Sequence, residues 1–391
     1  PGTDGALALG MAHVIFAEGL EDKAFLAQFA HGLEAFRDYV SGFTPDETAR
    51  ITGVPVEKIV AAAKLYAGSR PAQIAISACS TTHHFNGFQN HRAILLLAAI
   101  CGNLDVEGGN RPWGHRLRES SVDIEPQEVA SLGSPLGARD HPVFVANYGE
   151  GQGMRLAEAI EAGEIQAVFS IGMNVMMWPN SDRLRKALGS LEFFSVCDFF
   201  ENPTTGLATV SFPAATHLER EALIVSGGGR VQHRHAAVPP RGEATSDTEL
   251  IFELAEAMGM GDRFWDGNIQ TSFDERLAGI DLSLTDLPES GAPLTLTIQE
   301  PAERGYLNNG FGTPTGKVEF VSTLLAGAGH DGLPVYREPY WSPISAPQVA
   351  RQYPLILTSG ARTKTYTHSQ GRQLEKLRKR EPEPHVRMNP V

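Results

Sequence analysis

The sequence predicts an α/β protein built on parallel sheets, and three observations carry that expectation. A helix over Met154 to Ala162 leads to an apolar strand over Ile165 to Ile171. A second helix, Ser181 to Leu188, then leads to a strand over Phe193 to Cys197. Two short apolar strands joined by a helix of this length form a right-handed parallel crossover. A second strand, loop and helix unit begins with the apolar run Ala72 to Ala78, turns through polar residues Ser80 to Asn90, and enters the almost wholly apolar helix Ala93 to Cys101. With 391 residues, of which 42% are apolar, the chain can bury a large core and divide into two or three domains.

The remaining elements follow in chain order. Leu7, Met11, Val14 and Ile15 fall at helical spacing behind Thr3 and Asp4, which can cap the helix start. Thr44-Pro45-Asp46-Glu47 reads as a capping box with Pro at the first helical position, and Gly53 closes that short helix. Val56, Ile59, Ala63 and Tyr66 share one face of the next helix, so the chain to about Arg70 is expected to be helical. The helix ending at Cys101 stops at Gly102-Asn103, and the loop Glu107-Gly108-Gly109-Asn110 follows. A helix is expected over Thr248 to Met258. From about Asp262 to Gln348 the chain is rich in Pro, Gly and Ser with weak periodicity and reads as a connection. Pro354 to Thr358 reads as a strand opening a further element.

Composition narrows the function classes. The longest strongly apolar stretch, Ala93 to Cys101, is far too short to span a bilayer. The first residues lack the shape of a signal peptide. The chain starts without Met and reads as part of a longer protein, so any targeting signal and the compartment, prokaryotic cytoplasm or periplasm, stay unread. Cys79, Cys101 and Cys197 lie far apart with no CxxC, which gives neither a disulfide framework nor a local zinc or iron-sulfur motif. A net charge of −13 argues against nucleic acid as a partner. The charge is unevenly placed: between Ala361 and Val391 eight Lys/Arg accompany three Glu. That basic segment either holds a small polyanion or is a solvated loop.

Ligands of open parallel sheets sit beyond the carboxyl ends of the strands. Gly172-Met173-Asn174 and Asp198 occupy those ends here. A carboxylate such as Asp198 can accept two hydrogen bonds from the N1 and N2 edge of guanine, although an Asp in this position also commonly caps a turn. Gly149, Gly151 and Gly153 form GxGxG with no strand directly ahead, which favours a plain turn over a phosphate loop. His83, His84 and His91 have no zinc-site spacing and read as polar loop contacts or surface residues. Glu219 and Glu221 flank Arg220 without a visible acid/base partner.

A series of short motifs together resembles the dimethyl sulfoxide reductase superfamily. It runs from Gly2-Thr3-Asp4-Gly5-Ala6-Leu7 through Asn86-Gly87, Cys101-Gly102-Asn103-Leu104 and Gly108-Gly109-Asn110. It continues with Ser170 to Asn174, Val196-Cys197-Asp198, Phe212-Pro213-Ala214-Ala215 and Leu218-Glu219-Arg220-Glu221. Gly229-Arg230-Val231-Gln232 and Thr315-Gly316-Lys317-Val318-Glu319-Phe320 complete it. The series covers nearly the whole chain, and its order is more specific than any single piece.

The resemblance implies Rossmann-like parallel-sheet domains followed by the start of a C-terminal β-barrel. Residues 1–70 would end a first Rossmann-like dinucleotide-binding domain and 71–260 would form a second. Residues 261–345 would connect them to the beginning of the barrel at 346–391. The implied cofactor is bis(molybdopterin guanine dinucleotide) with molybdenum or tungsten, and a [4Fe-4S] cluster and the metal ligand are expected upstream of Pro1. Gly2, Thr3 and Asp4 would contact one nucleotide, and Asn174, Cys197, Asp198, Arg220 and Asp247 the other. Thr358, Ser359, Gly360, Ala361, Arg362, Lys364, His368 and Ser369 would touch both pterins, while Cys79 and His83 would lie near the metal.

The expected activity is two-electron oxygen-atom, sulfur or hydride transfer on a small substrate, with an iron-sulfur electron-transfer subunit as partner, as in anaerobic respiration; these residues alone are expected to be inactive. The segment Thr358 to Lys379 is most similar to the branch of thiosulfate and polysulfide reductases, pyrogallol transhydroxylase and acetylene hydratase. A non-redox hydratase or transhydroxylase on the same cofactor is the alternative. A degenerate structural paralogue of the complex I type and a generic nucleotide-binding module are further ones, and Asp4, Asn174, Asp198, Asp247 and the Arg362 segment argue against an emptied site.

Overall fold

The computed structural model describes residues 1–76, 81–111, 134–148, 151–226, 228–297, 303–358, 363–366 and 371–388. The N-terminal part is helical: α1 (Asp4–Ala17), α2 (Lys23–Phe29), α3 (Leu33–Val40), α4 (Pro45–Thr52), α5 (Val56–Gly68) and α6 (Gly87–Ile100). A two-residue strand β1 (Ala30–His31) lies between α2 and α3. α1 is apolar on all sides, as a helix surrounded by others must be, and α3, α4, α5 and α6 pack around it. Small residues let its neighbours approach closely. A side-chain carbon on Gly5 would sit 2.3 Å from Asn90 Oδ1 on α6, and one on Gly10 would sit 2.3 Å from Thr48 Oγ1 on α4. Leu9, Ile15, Phe36 and Ile100 are fully buried at the centre of this bundle.

The expected cap of α4 forms in part. Thr44 Oγ1 accepts from Glu47 N at 3.3 Å, but the Glu47 carboxylate turns to Arg50 instead of back to Thr44, and Gly53 ends the helix at φ +71°. Residues 72–76 differ more from expectation, since they are irregular. Ala72 N donates to Asn103 Oδ1, and Ile74 exchanges two hydrogen bonds with the Asn110 side chain. Side-chain amides thus satisfy backbone groups that a sheet neighbour would otherwise pair.

Burial in this bundle perturbs several ionisable groups, Cys101 and Tyr66 among them. Desolvation pushes the Cys101 thiol up to about 11 from an ordinary 9.0, and the Tyr66 hydroxyl up to about 12. Between about pH 9 and about 11 the unfolded chain releases the Cys101 proton while the folded chain holds it, so stability is present below about pH 9 and falls as pH rises through this window. Urea unfolding across that range is expected to show a declining midpoint, with a shallower decline in Cys101→Ala. Equal declines in the two proteins would contradict the assignment.

Beyond α7 (Pro142–Tyr148), the crossover appears close to its expected bounds: α8 (Leu156–Glu161), β2 (Ala167–Ile171), α9 (Ser181–Leu188) and β3 (Phe193–Asp198). A third parallel strand, β4 (Val210–Pro213), pairs with β3 to give the sheet order β2-β3-β4. Ile171 is level with Cys197, and Asp198 with Pro213. Phe194 and Val196 of β3 meet Leu184 and Leu188 of α9 in a second core.

An antiparallel sheet follows, made of β5 (Ala222–Ser226), β6 (Arg230–Arg234) and β7 (Leu294–Thr295). Between β6 and β7 the chain forms α10 (Asp247–Ala257) and α11 (Ile269–Ala278). Leu223 and Val231 of the sheet bury Phe273 and Leu277 of α11.

The stretch read as a connection is more than that. It contains α12 (Tyr306–Asn309), β8 (Val318–Glu319) and α13 (Thr323–Gly327). β8 pairs in parallel with β1, Phe320 is fully buried among the N-terminal helices, and Tyr336 N donates to Tyr39 Oη at 2.9 Å. Tyr306 and Phe311 stack 4.8 Å apart and meet Phe25 and Phe29 edge-on. Weak periodicity reflects docking through scattered aromatic anchors. Two short helices, α14 (Pro347–Gln352) and α15 (Glu375–Arg378), complete the described chain. Pro354 to Thr358, expected as a strand, is exposed and has no strand partner among the described residues.

Candidate functional site

The carboxyl ends of β2, β3 and β4 carry one cluster. After Ile171 the chain turns at Gly172, whose N–H donates to the Cys197 carbonyl at 2.9 Å. Asn174 follows, and its Oδ1 accepts from Met176 N at 3.1 Å, fixing a short helical turn. Val175 N donates to the buried hydroxyl of Thr204 at 2.9 Å, which ties this loop to the one after β3.

Asp198 organises that second loop, with Oδ1 accepting from Phe199 N at 2.6 Å and Oδ2 from Asn202 Nδ2 at 2.8 Å. Asn202 in turn accepts from Thr204 N at 2.8 Å. Turn capping and ligand binding are therefore compatible for Asp198, because a carboxylate has about four lone-pair sites.

Asp247 reaches the same place by a different route. Ala214, just past β4, bridges in parallel to Thr245, and Ser246 caps α10 through a complete capping box with Glu249. Asp247 is the first residue of that helix, so its carboxylate sits where the helix end favours negative charge. The buried Cys197 thiol senses both acids: burial raises its pKa first, then the charges of Asp247 and Asp198. Met176, Met177, Phe199 and Phe200 stand exposed around these loops. Two acceptor carboxylates beside exposed apolar side chains suit a flat, hydrogen-bond-donating ring.

Arg220 lies in the loop leading to β5, part-buried and without an ion pair among the described residues. Its neighbour Glu219 is fully engaged, accepting from Thr216 N, Thr216 Oγ1 and Arg241 N. Donation from Thr216, through its main chain and then its hydroxyl, holds the Glu219 carboxyl below the usual carboxylate range. Glu219 shapes the loop that carries Arg220, a role that spacing alone did not reveal.

A second cluster surrounds the start of α1. Gly2 has φ +80°, and a side chain there would collide with Pro339. The Gly2 carbonyl is 3.4 Å from Asn90 Nδ2, which also lies 2.9 Å from His84 Nε2. Asn86 Nδ2 donates to Asn90 Oδ1 and to the Val335 carbonyl. Thr3 provides the first carbonyl of α1, accepting from Leu7 N, and exposed Asp4 opens the helix. The ring of Phe85 lies 4.0 Å from that of Tyr340, so residues 83–90, 335–340 and the chain start converge. Asn90 was missed in the sequence, although a polar residue inside an apolar helix, four after Asn86, is a readable signal. His83 is exposed beside this network.

Of the barrel-side residues, Thr358 and Lys364 are described and exposed. Cys79, Ser359, Gly360, Ala361, Arg362, His368 and Ser369 lie outside the described residues. No hydrogen bond or ion pair joins the two clusters among the described residues.

A family model for molybdopterin oxidoreductases matches residues 1–257, a stretch that contains the first cluster and, of the second, the chain start and residues 83–90. The chain belongs to the molybdopterin oxidoreductase family. This family member is 30% identical over 426 residues to acetylene hydratase of Syntrophotalea acetylenica, covering 100% of this chain and 57% of that protein. It is 26% identical over 387 residues to dimethyl sulfoxide/trimethylamine N-oxide reductase of Rhodobacter capsulatus, covering 87% and 46%.

The solved acetylene hydratase from Pelobacter acetylenicus superposes with a TM-score of 0.83 at 28% identity, covering 97% of this chain and 56% of that one. These relatives agree with membership of the dimethyl sulfoxide reductase superfamily and with its mixed α/β fold. The molybdopterin oxidoreductase chain spans about half the length of the curated relatives it matches. Among its described residues no helix is long and apolar enough to cross a membrane.

Proposed function

We propose that this chain is the central, dinucleotide-gripping part of a molybdenum- or tungsten-dependent enzyme that uses bis(molybdopterin guanine dinucleotide). The observation that carries this reading is the placement of two acids beyond the carboxyl end of a parallel sheet: Asp198 is level with Pro213, and Ala214, the next residue, bridges to Thr245, two residues before Asp247. Asp198 accepts from guanine N1 and N2 or from ribose, Asp247 from the same nucleotide, and Asn174 holds the loop between them. Arg220, with no ion pair among the described residues, faces the pyrophosphate. Gly2, Thr3 and Asp4 hold the other nucleotide against the Asn86-Asn90 network.

By this reading residues 1–70 end a first Rossmann-like domain, against which α6 of the following stretch packs, 71–260 form the second, 261–345 are the docked connection, and 346–391 begin the barrel. Ser359 to Arg362, Lys364, His368 and Ser369 close over both pterins from that side, with Thr358 at the start of the segment and Cys79 and His83 near the metal.

When bound, the metal centre supplies two-electron oxygen-atom, sulfur or hydride transfer on a small substrate. The chain's residues bind and orient it. A [4Fe-4S] cluster and an iron-sulfur subunit complete the electron path; relatives named as formate dehydrogenase alpha subunits support a multi-subunit enzyme. The similarity to acetylene hydratase favours a second reading, a non-redox hydratase on the same cofactor.

Metal analysis and acid release of guanosine nucleotides from the full-length enzyme test the cofactor. Two guanine equivalents per molybdenum or tungsten are expected, and their absence would refute it. Turnover with and without an electron acceptor separates the two chemistries. Arg362→Lys is expected to lower cofactor retention with the circular dichroism unchanged, because Lys does not reproduce a bidentate contact to phosphate; full retention would return that segment to a solvated loop.

A further inference from the structure

Beyond the loop that carries Arg220, the hairpin β5-β6 gathers three metal-ligand side chains on one face. In its antiparallel register Ala222 faces Arg234 and Leu223 faces His233. Glu221, one residue before β5, therefore falls opposite His235, one residue after β6. Side chains two apart on a strand share a face, so His233 and His235 project together and Glu221 joins them from the facing strand. The distances agree. His233 Nε2 lies 2.9 Å from Glu221 Oε2, the two imidazole rings are 4.4 Å apart, and one ligand atom from each residue lies within 4.8 Å of the others.

We propose that Glu221, His233 and His235 bind a divalent cation of the zinc class, with a fourth position open to solvent. Two imidazoles and one carboxylate favour zinc-like ions over magnesium or calcium, which prefer all-oxygen sites. A tetrahedral ion with bonds of about 2.0–2.1 Å sets its ligand atoms roughly 3.3 Å apart. The Glu221–His233 contact therefore has to open only slightly, and exposed His235 has to swing inward.

The site has rigid backing. His233 is edge-on to Phe273, 5.8 Å away in the third core, and its main chain is held in the sheet. Gly291 leaves space for the other ring, since a side-chain carbon there would lie 3.3 Å from His235 Cδ2. A simple ion pair would account for Glu221 and His233 but not for His235, which makes no hydrogen bond among the described residues and sets its ring edge-on against that of His233. The chain's net charge of −13 adds a general attraction for cations.

The test uses the full-length, cofactor-loaded protein after chelator treatment, titrated with zinc alone by calorimetry and with cobalt by visible absorption. Wild type is expected to bind about one more zinc ion per chain than His235→Ala or Glu221→Gln, and to show tetrahedral cobalt absorption that both variants lose. His235 is exposed, and Gln at 221 keeps an oxygen that can accept from His233, so both variants preserve the hairpin. Equal zinc stoichiometry in all three proteins, or cobalt absorption that persists in both variants, would overturn the site.

Discussion

Replacing Asp198 with alanine is expected to weaken dinucleotide retention by about 1.5–3 kcal/mol, the range for hydrogen bonds to a charged group, which is roughly tenfold to more than a hundredfold in affinity. The loss has two sources. The variant removes acceptors for the ring, and it frees Asn202 and Phe199 N, which Asp198 now holds. Asp198→Asn keeps half of the loop's capping, because its amide oxygen can still accept from Phe199 N while its N–H groups oppose the donors of Asn202 and of guanine, so its loss beyond that of Asn202→Ala reads the ring contact. Cofactor occupancy of the full-length variants under limiting cofactor is the measurement. Occupancy equal to wild type in Asp198→Ala would exclude this carboxylate from the site.

Phe36→Ala is expected to cost about 3–5 kcal/mol of folding stability, as for other large-to-alanine changes in a packed core. Phe36 is fully buried, with Phe16 at 6.2 Å on one side and Phe320 at 5.1 Å on the other. Phe320 belongs to the docked stretch, so the cavity would loosen 303–340 from the helices as well as weaken the bundle. Urea unfolding and limited proteolysis of that stretch read the two effects. Phe36→Leu, which keeps most of the volume, is expected to cost less than half as much; an alanine variant with the wild-type midpoint would mean that this core does not hold the docked stretch.

Local chemistry made much of this protein legible. The crossover from Leu156 to Asp198 follows from apolar runs of strand length around a helix. The sheet rule then pointed to Asn174 and Asp198, because strand direction settles which end of a parallel sheet offers a crevice. Asp247 was different: its place came from resemblance to a family, and its closeness to Cys197 depends on the bridge of Ala214 to Thr245, a pairing between residues far apart in sequence. Glu221 illustrates the same limit, since its partners His233 and His235 become neighbours only through the hairpin register.

The amino-acid sequence by itself determined the fold class, the helices with clear periodicity and caps, the parallel crossover and the acidic residue at its carboxyl end. These depend on interactions within a few residues, where spacing and side-chain type set the outcome. Tertiary structure alone decided that 72–76 is held by the amides of Asn103 and Asn110, that 303–340 packs on the N-terminal helices, and that Asn86, Asn90 and His84 join Gly2. Each of these contacts closes a long loop, and its free energy depends on complementary surfaces that the local pattern does not encode.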